Sequence, residues 1–400
     1  MTVLICLFVF LIGSCVGSFL NVLIYRLPRG LSIVSPGSGC PKCKQPISWY
    51  DNIPLLSWFL LGRACRHCGQ AIPASYPLVE LATAVSFTLI FVAYMLLDLR
   101  ADMPLLLEIP QSADWAILAL HLWLVAALLA ASVIDFYHKV IPLPITTVTA
   151  AVALVIHAVF PQASLWRISA PTAGLAFGAA LGLIISAILV RAGIFRASFP
   201  PDPEKGFVRR PRRRPRKQHL QPLQHSSEDD EPSGSISPRR EMLHEMLYLT
   251  PAVGLALVAW LVASADTSLG KAWGMLLENA HLNAFAGSLF GLLIGGATVW
   301  LTRILGSLGF GREAMGLGDV HLMAAGGAVL GWLAPVLAFF IAPFYGLIAV
   351  ILSAARQRSG ELPYGPWLSL GLLTAMIFQD KIWAYIGPGL EMFWELLSAG

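Results

Sequence analysis

Charge is scarce in this 400-residue sequence: Asp, Glu, Lys and Arg together make up 12 % of it. A soluble domain carries roughly 25 %, so a chain with half that amount lacks the polar groups to cover its own surface. With 56 % apolar residues and a mean hydropathy of +0.70, an ordinary soluble enzyme and a disordered protein are both excluded. The sequence also lacks a basic start before its first apolar run, which argues against a cleaved signal peptide at residues 1–24. Cysteine is sparse as well, at six residues, so its spacing matters more than its number.

What is present are apolar runs near 2–24, 76–97, 115–134, 140–160, 170–191, 246–264, 283–304, 318–335, 336–354 and 365–380. Runs of about 20 such residues cross a bilayer core. They lack period-two alternation, and a spanning segment must bond its own backbone, so they are read as helices. The expected fold is all-α: a polytopic transmembrane bundle of 8–10 helices. Arg26 and Arg29 directly follow the first run, which places the N-terminus outside by the positive-inside rule. Alternation then puts Lys42, Lys44, Arg63, Arg66, Lys139, residues 191–245, Arg303, Arg312, Arg356 and Arg358 inside, and only Arg100, Arg167, Lys271 and Lys381 outside.

The chain divides accordingly into a first helix (1–24), an inside cysteine-bearing insert (25–75), helices over 76–190, a charged loop (191–245) and helices over 246–400. The loop carries Arg209–Lys217 and then Glu228–Glu231, with little that could build a core, so disorder is expected. It holds 12 of the 27 Lys and Arg and 8 of the 23 Asp and Glu. It is read as a solvated, topology-enforcing loop rather than a lipid or nucleic-acid site, and no nucleic-acid partner is expected. A weak repeat links Ala173–Gly178 with Ala286–Gly291, small residues of the kind that let membrane helices approach closely.

Cys40-Pro-Lys-Cys43 and Cys65-Arg-His-Cys68 stand 21 residues apart. Two such knuckles form a zinc signature, each supplying two thiolates to a tetrahedral ion. Gly69 suits the turn that follows the second pair, and a short insert poor in core benefits from a metal staple. Two disulfides are the alternative, disfavoured on the reducing inner side. His67 is a spare candidate ligand, and Cys6 and Cys15 in the first helix are read as small core residues.

Asp135 ends the third run and Asp319 begins the eighth, both on the inner side of the same topology. Ionisable groups at membrane depth are costly and point to function. Two of them can act as a dyad, in which one carboxylate takes a proton from water while its protonated partner donates to a carbonyl. Gly316 and Gly318 allow close-approach backbone beside Asp319. Taken singly, either Asp is also readable as a boundary charge, and Asp319 as a helix cap. On physics alone, an aspartic protease and a carboxylate-coupled transporter are equally supported.

The motifs then resemble a known family. Gly17-Ser-Phe-Leu-Asn-Val22 with Arg26-Leu-Pro28, the paired knuckles with Trp49–Pro54 and Ser57-Trp58 between them, Tyr76-Pro-Leu-Val-Glu80, Asp135 with Ile141-Pro142, and Ala314-Met-Gly-Leu-Gly-Asp319 together resemble the type 4 prepilin peptidases, leader peptidase/N-methyltransferases among the Gly-x-Gly-Asp aspartic membrane proteases. The resemblance implies a bacterial inner-membrane enzyme that cuts the short basic leader of prepilins or pseudopilins at the cytoplasmic face. It further implies methylation of the new N-terminus from S-adenosylmethionine, in the service of pili or type II secretion. Carried over, Asp135 and Asp319 are catalytic, and Cys40, Cys43, Cys65 and Cys68 hold structural zinc. Asn21, Arg26, Glu80, Gly316 and Gly318 are candidate substrate or cofactor contacts, with interfacial anchoring the plainer role for the first three.

Three departures stand out. His321 occupies a position expected to be basic, and Ser75 one expected to be Arg, which puts the methyltransferase step in question and leaves a peptidase-only member as the alternative. Residues of about 170–282 add a helical pair and a charged loop to the family's eight-helix plan, with 283–304 the expected counterpart of the family helix.

Overall fold

A computed structural model describes residues 2–97, 99, 112–161, 167–196, 238–355 and 363–398. The basic and acidic runs of the charged loop lie outside these, as do Arg100, Arg356 and Arg358. The described residues form helices α1 (Thr2–Arg26), α2 (Leu56–Leu60), α3 (Ser75–Met95), α4 (Ser112–His138), α5 (Leu143–Val159), α6 (Ala170–Arg191), α7 (Pro238–Ser264), α8 (Ser268–Leu277), α9 (Ala280–Phe310), α10 (Leu317–Leu330), α11 (Leu333–Ala355) and α12 (Gly365–Ser398). No strand is present among them, only isolated bridges at Gly39–Pro46 and Ala64–Ala71.

Each of the ten apolar runs thus falls on helix, except that the eighth breaks after Leu330 and its last residues open α11, and the tenth runs on past Lys381 to Ser398. Seven (α1, α3, α4, α6, α7, α9 and α11) are long and apolar enough to cross a membrane, while α5 and α10 are shorter apolar helices. These two run side by side, and His157 Nε2 near the end of α5 donates to the Val329 carbonyl near the end of α10 at 3.1 Å.

Three sequence expectations are corrected. The charged loop gives way to helix at Pro238, so Glu241 and Glu245 belong to α7 and are buried. The seventh run does not end at residue 304 but continues to Phe310, so Arg303 is no loop charge: it lies inside α9 and is 0 % exposed. Cys15 is exposed on α1 instead of joining the core.

The main buried apolar cluster takes residues from α1, α3, α4, α5, α9, α10, α11 and α12, among them Phe91, Leu124, Val299, Met323 and Leu368. None come from α6, α7 or α8. The α6–α7 pair is zipped by its own glycines instead: a Cβ at Gly178 would strike the Leu255 carbonyl, and one at Gly182 the backbone of Ala252. The second copy of the weak repeat does the same on α9, where Gly291 faces the Gly327 carbonyl and Gly295 the Met323 carbonyl of α10. Small residues set both contacts because backbone meets backbone.

Candidate functional site: a four-thiol insert and two buried carboxyls

The insert between the first and second membrane helices, α1 and α3, is built on two near-identical turns. In the first, Cys40 N–H donates to Gln45 O at 3.0 Å and Lys44 N–H to Cys40 O at 2.9 Å; in the second, Cys65 N–H donates to Gln70 O and Gly69 N–H to Cys65 O, both at 2.9 Å. Lys44 and Gly69 take the same left-handed backbone, with φ of 61° and 66°. The glycine expected after the second knuckle therefore has a lysine as its counterpart after the first.

The turns aim four sulfurs inward, all within 4.8 Å of one another, and His67 stays out of the group. Cys40 Sγ and Cys68 Sγ are 3.8 Å apart. A tetrahedron of sulfurs at about 2.3 Å from a central zinc has edges of about 3.8 Å, whereas a disulfide needs about 2.05 Å. All four thiols are free, so the cluster fits a metal ion and not a pair of disulfides. Within the first knuckle the Cys43 and Lys42 amides lower the Cys40 thiol to about 6, whereas, against the Gln45 amide, burial and the surrounding thiols raise Cys43 to about 11.

Arg66, inside the second knuckle, grips Asp51 with two bonds, Nε to Oδ2 at 2.7 Å and Nη2 to Oδ1 at 2.6 Å. The guanidinium holds the Asp51 carboxyl below its usual range and ties the Trp49–Asn52 turn to the four-thiol cluster.

The three candidate contacts of the first two membrane helices fasten this insert. Asn21 Nδ2 donates to Tyr76 O at 3.0 Å, joining α1 to the start of α3. Arg26 donates to Ser32 O and Gly37 O, both at 3.0 Å. Among the described residues Glu80 pairs with no basic side chain; its Oε2 accepts the Leu55 N–H at 2.7 Å, where the backbone turns left-handed at φ 63°. All three also line a cavity of about 620 Å³ between α1, α3 and the insert, which Tyr25, Asp51, Arg66 and His67 share. Neither Asp135 nor Asp319 lines it.

Those two carboxyls lie elsewhere, and together. Asp135 is in the last turn of α4 and 7 % exposed; Asp319 is in the first turn of α10 and 9 % exposed. Ile141, in the bend after α4, packs between their surroundings: a Cβ at Gly318 would lie 3.0 Å from its Cβ, and one at Gly365 would lie 3.1 Å from its Cδ1. The two acids are within electrostatic reach of each other. Asp319 does not sit at the N-cap itself, which is Gly316. Asp319 N–H donates to Gly316 O at 3.2 Å, and a Cβ at Gly316 would lie 3.5 Å from Asp319 Oδ2, so the carboxyl packs against this turn.

Two functional features were missed from sequence. Gly365, opening α12, donates its N–H to Asp135 Oδ2 at 3.1 Å, and Tyr364 beside it is within reach of Asp319. The only available signal was the turn-like Tyr364-Gly365-Pro366 before the last apolar run. The second feature is Arg303, which binds Glu245 of α7 and Glu313 of the α9–α10 loop.

The fold and site define a polytopic helical membrane protein with a four-cysteine insert, of a geometry that fits a metal ion, after its first helix. Residues 11–94, which cover α1 from residue 11 on, the insert and nearly all of α3, match the family model "Bacterial Peptidase A24 N-terminal domain". The chain is related in sequence to proteins named "Prepilin leader peptidase/N-methyltransferase", as the motifs indicate. It is 56 % identical over 80 residues to the one of Myxococcus xanthus, a match spanning 20 % of this chain and 24 % of that protein. With the one of Vibrio cholerae it is 40 % identical over 140 residues, covering 33 % of this chain and 48 % of the relative. The relative from Aeromonas hydrophila aligns over 94 % of this chain and 91 % of its own length at 26 % identity. The first two matches thus span less than half of each relative. No solved structure matches the chain.

Proposed function

We propose that this protein is a membrane aspartic endopeptidase that removes the leader peptide of prepilin-like or pseudopilin substrates at the cytoplasmic face. The observation carrying this reading is the pair of buried carboxyls, Asp135 and Asp319, brought to one end of the bundle around Ile141. In the proposed step, the ionised carboxylate takes a proton from a water molecule as its oxygen bonds to the scissile carbonyl carbon. The protonated carboxyl donates to the carbonyl oxygen, and collapse of the tetrahedral intermediate releases the amine, which leaves with a proton. The Gly365 amide holds Asp135 in place for this.

The same reading gives the four cysteines a structural zinc and places the chain in the inner membrane with its N-terminus outside. A second activity, N-methylation of the new N-terminus, is supported by the relatives' names and by the roughly 620 Å³ cavity, which is of small-molecule size. S-adenosylmethionine would supply the methyl group there, with Asn21, Arg26 and Glu80 on the wall.

The test incubates purified protein with a prepilin and labelled S-adenosylmethionine. Asp135→Asn and Asp319→Asn should each abolish cleavage with folding intact; retained cleavage in either removes the dyad. Cleavage without label transfer would leave a peptidase only. Absence of cleavage by the wild-type chain would favour the carboxylate-coupled transporter.

A further inference from the structure

Arg303 is a cation wholly buried in a membrane helix, which is costly unless each of its donors is met. Its Nε donates to Glu245 Oε1 at 3.1 Å and its Nη2 to the same oxygen at 3.0 Å. Trp300, one turn earlier on α9, donates Nε1 to Glu245 Oε2 at 2.8 Å, so Glu245 is held from two sides. The other edge of the guanidinium faces the loop between α9 and α10: Nη1 donates to Glu313 Oε1 at 2.5 Å and to the Met315 carbonyl. A second tie sits one turn further along α9, where buried Ser307 Oγ accepts the Ala314 N–H at 3.0 Å.

This loop ends in Gly316, whose carbonyl accepts the Asp319 N–H at 3.2 Å and where a Cβ would lie 3.5 Å from Asp319 Oδ2. Glu245, by contrast, belongs to α7, in the helical pair that adds nothing to the main buried apolar cluster. That pair is the part of the chain read from sequence as an addition to the family plan. One guanidinium thus joins the added pair to the segment that carries Asp319.

We propose that Arg303 is a positioning residue for Asp319, and that the α6–α7 pair acts as its brace through Glu245. The guanidinium fixes the Met315 carbonyl and Glu313, which sets the start of α10 and with it the direction of the Asp319 carboxyl. The catalytic half of this inference rests on the peptidase reading; the loop-holding half does not.

Arg303→Ala alone would leave two carboxylates facing a void and risks misfolding. The informative variant is therefore the double exchange Arg303→Met with Glu245→Leu, since replacing a buried ion pair by apolar residues of similar size is often tolerated. Two readouts apply to the full chain in detergent. Hydrogen exchange over 313–319 should quicken at least about tenfold while the interiors of α9 and α10 stay protected. On a prepilin substrate, kcat should fall by about tenfold to a hundredfold with KM little changed, since small misplacements of a reacting group cost that much. Arg303→Lys, which keeps the charge but loses the fork, should fall between. Unchanged exchange in the folded double variant overturns the proposal whether or not the wild type cleaves prepilin. Faster exchange with wild-type kcat overturns the catalytic link. Failure of the wild type to cleave sinks the peptidase reading separately, with exchange still deciding the loop.

Discussion

The Gly365 amide donates to Asp135 Oδ2 at 3.1 Å across 230 residues of chain, joining the start of α12 to the end of α4. Glycine is required there because a side chain would occupy the place of the carboxylate. A Cβ at Gly365 would lie 2.6 Å from Asp135 Oδ2. Gly365→Ala is therefore expected to displace the carboxyl and lower cleavage by at least about tenfold. Size-exclusion behaviour and thermal unfolding in detergent should stay close to wild type. Wild-type cleavage by this variant would show that Asp135 does not need its present orientation.

Glu80 offers a cleaner separation of charge from hydrogen bonding. It meets the left-handed Leu55 backbone through one amide and so pins the insert to α3. Glu80→Gln keeps an acceptor and should stay near wild type in stability. Glu80→Ala leaves a part-buried amide without its acceptor, at a cost of about 1 kcal/mol. Thermal unfolding of the two variants side by side checks the difference; equal midpoints would mean that the charge, or neither feature, matters.

Metal content is predicted to follow the thiols. Wild-type protein should hold one zinc per chain by elemental analysis, and Cys40→Ser with Cys43→Ser should hold none. Chelation should also loosen the Asp51–Arg66 clasp, since Arg66 lies inside the second knuckle. Protease nicking within residues 30–74 should rise on chelation, and unchanged nicking would make the ion dispensable to the insert.

Glycine positions should divide sharply by what faces them. Gly291→Ala forces the α9 and α10 backbones apart and is expected to cost about 1–3 kcal/mol. Gly254→Ala on α7 meets nothing within 4 Å and should gain about 0.5–1 kcal/mol from helix propensity. The two unfolding midpoints should move in opposite directions.

The helices were readable from the sequence because apolar length alone dictates them in a bilayer, and the four-thiol group because its spacing has few other uses. The neighbourhood of Asp135 and Asp319 followed from counting crossings. What escaped were contacts whose partners are remote and whose residues mislead locally. Arg303 reads as the end of a helix, since a charge ordinarily closes an apolar run; Glu245, 58 residues away, lets the helix run on. Glu241 and Glu245 look like members of a solvated acidic loop until α7 is seen to begin at Pro238. Gly365 gives no sign of its target because a backbone amide has no sequence signature.

The paired helices α5 and α10, joined by His157 and Val329 at one end and flanked by Ile141 and Gly318 at the other, have 17 and 14 residues. At 1.5 Å per residue they measure about 26 and 21 Å, against a hydrocarbon core of about 30 Å. Neither reaches across such a core, and α10 is mostly enclosed by its neighbours, with ten of its residues buried. Under the proposed peptidase activity, this shortfall recesses Asp319, at the mouth of the shorter helix, to the depth at which a peptide bond at the edge of a substrate's apolar helix would arrive without being drawn out of the bilayer.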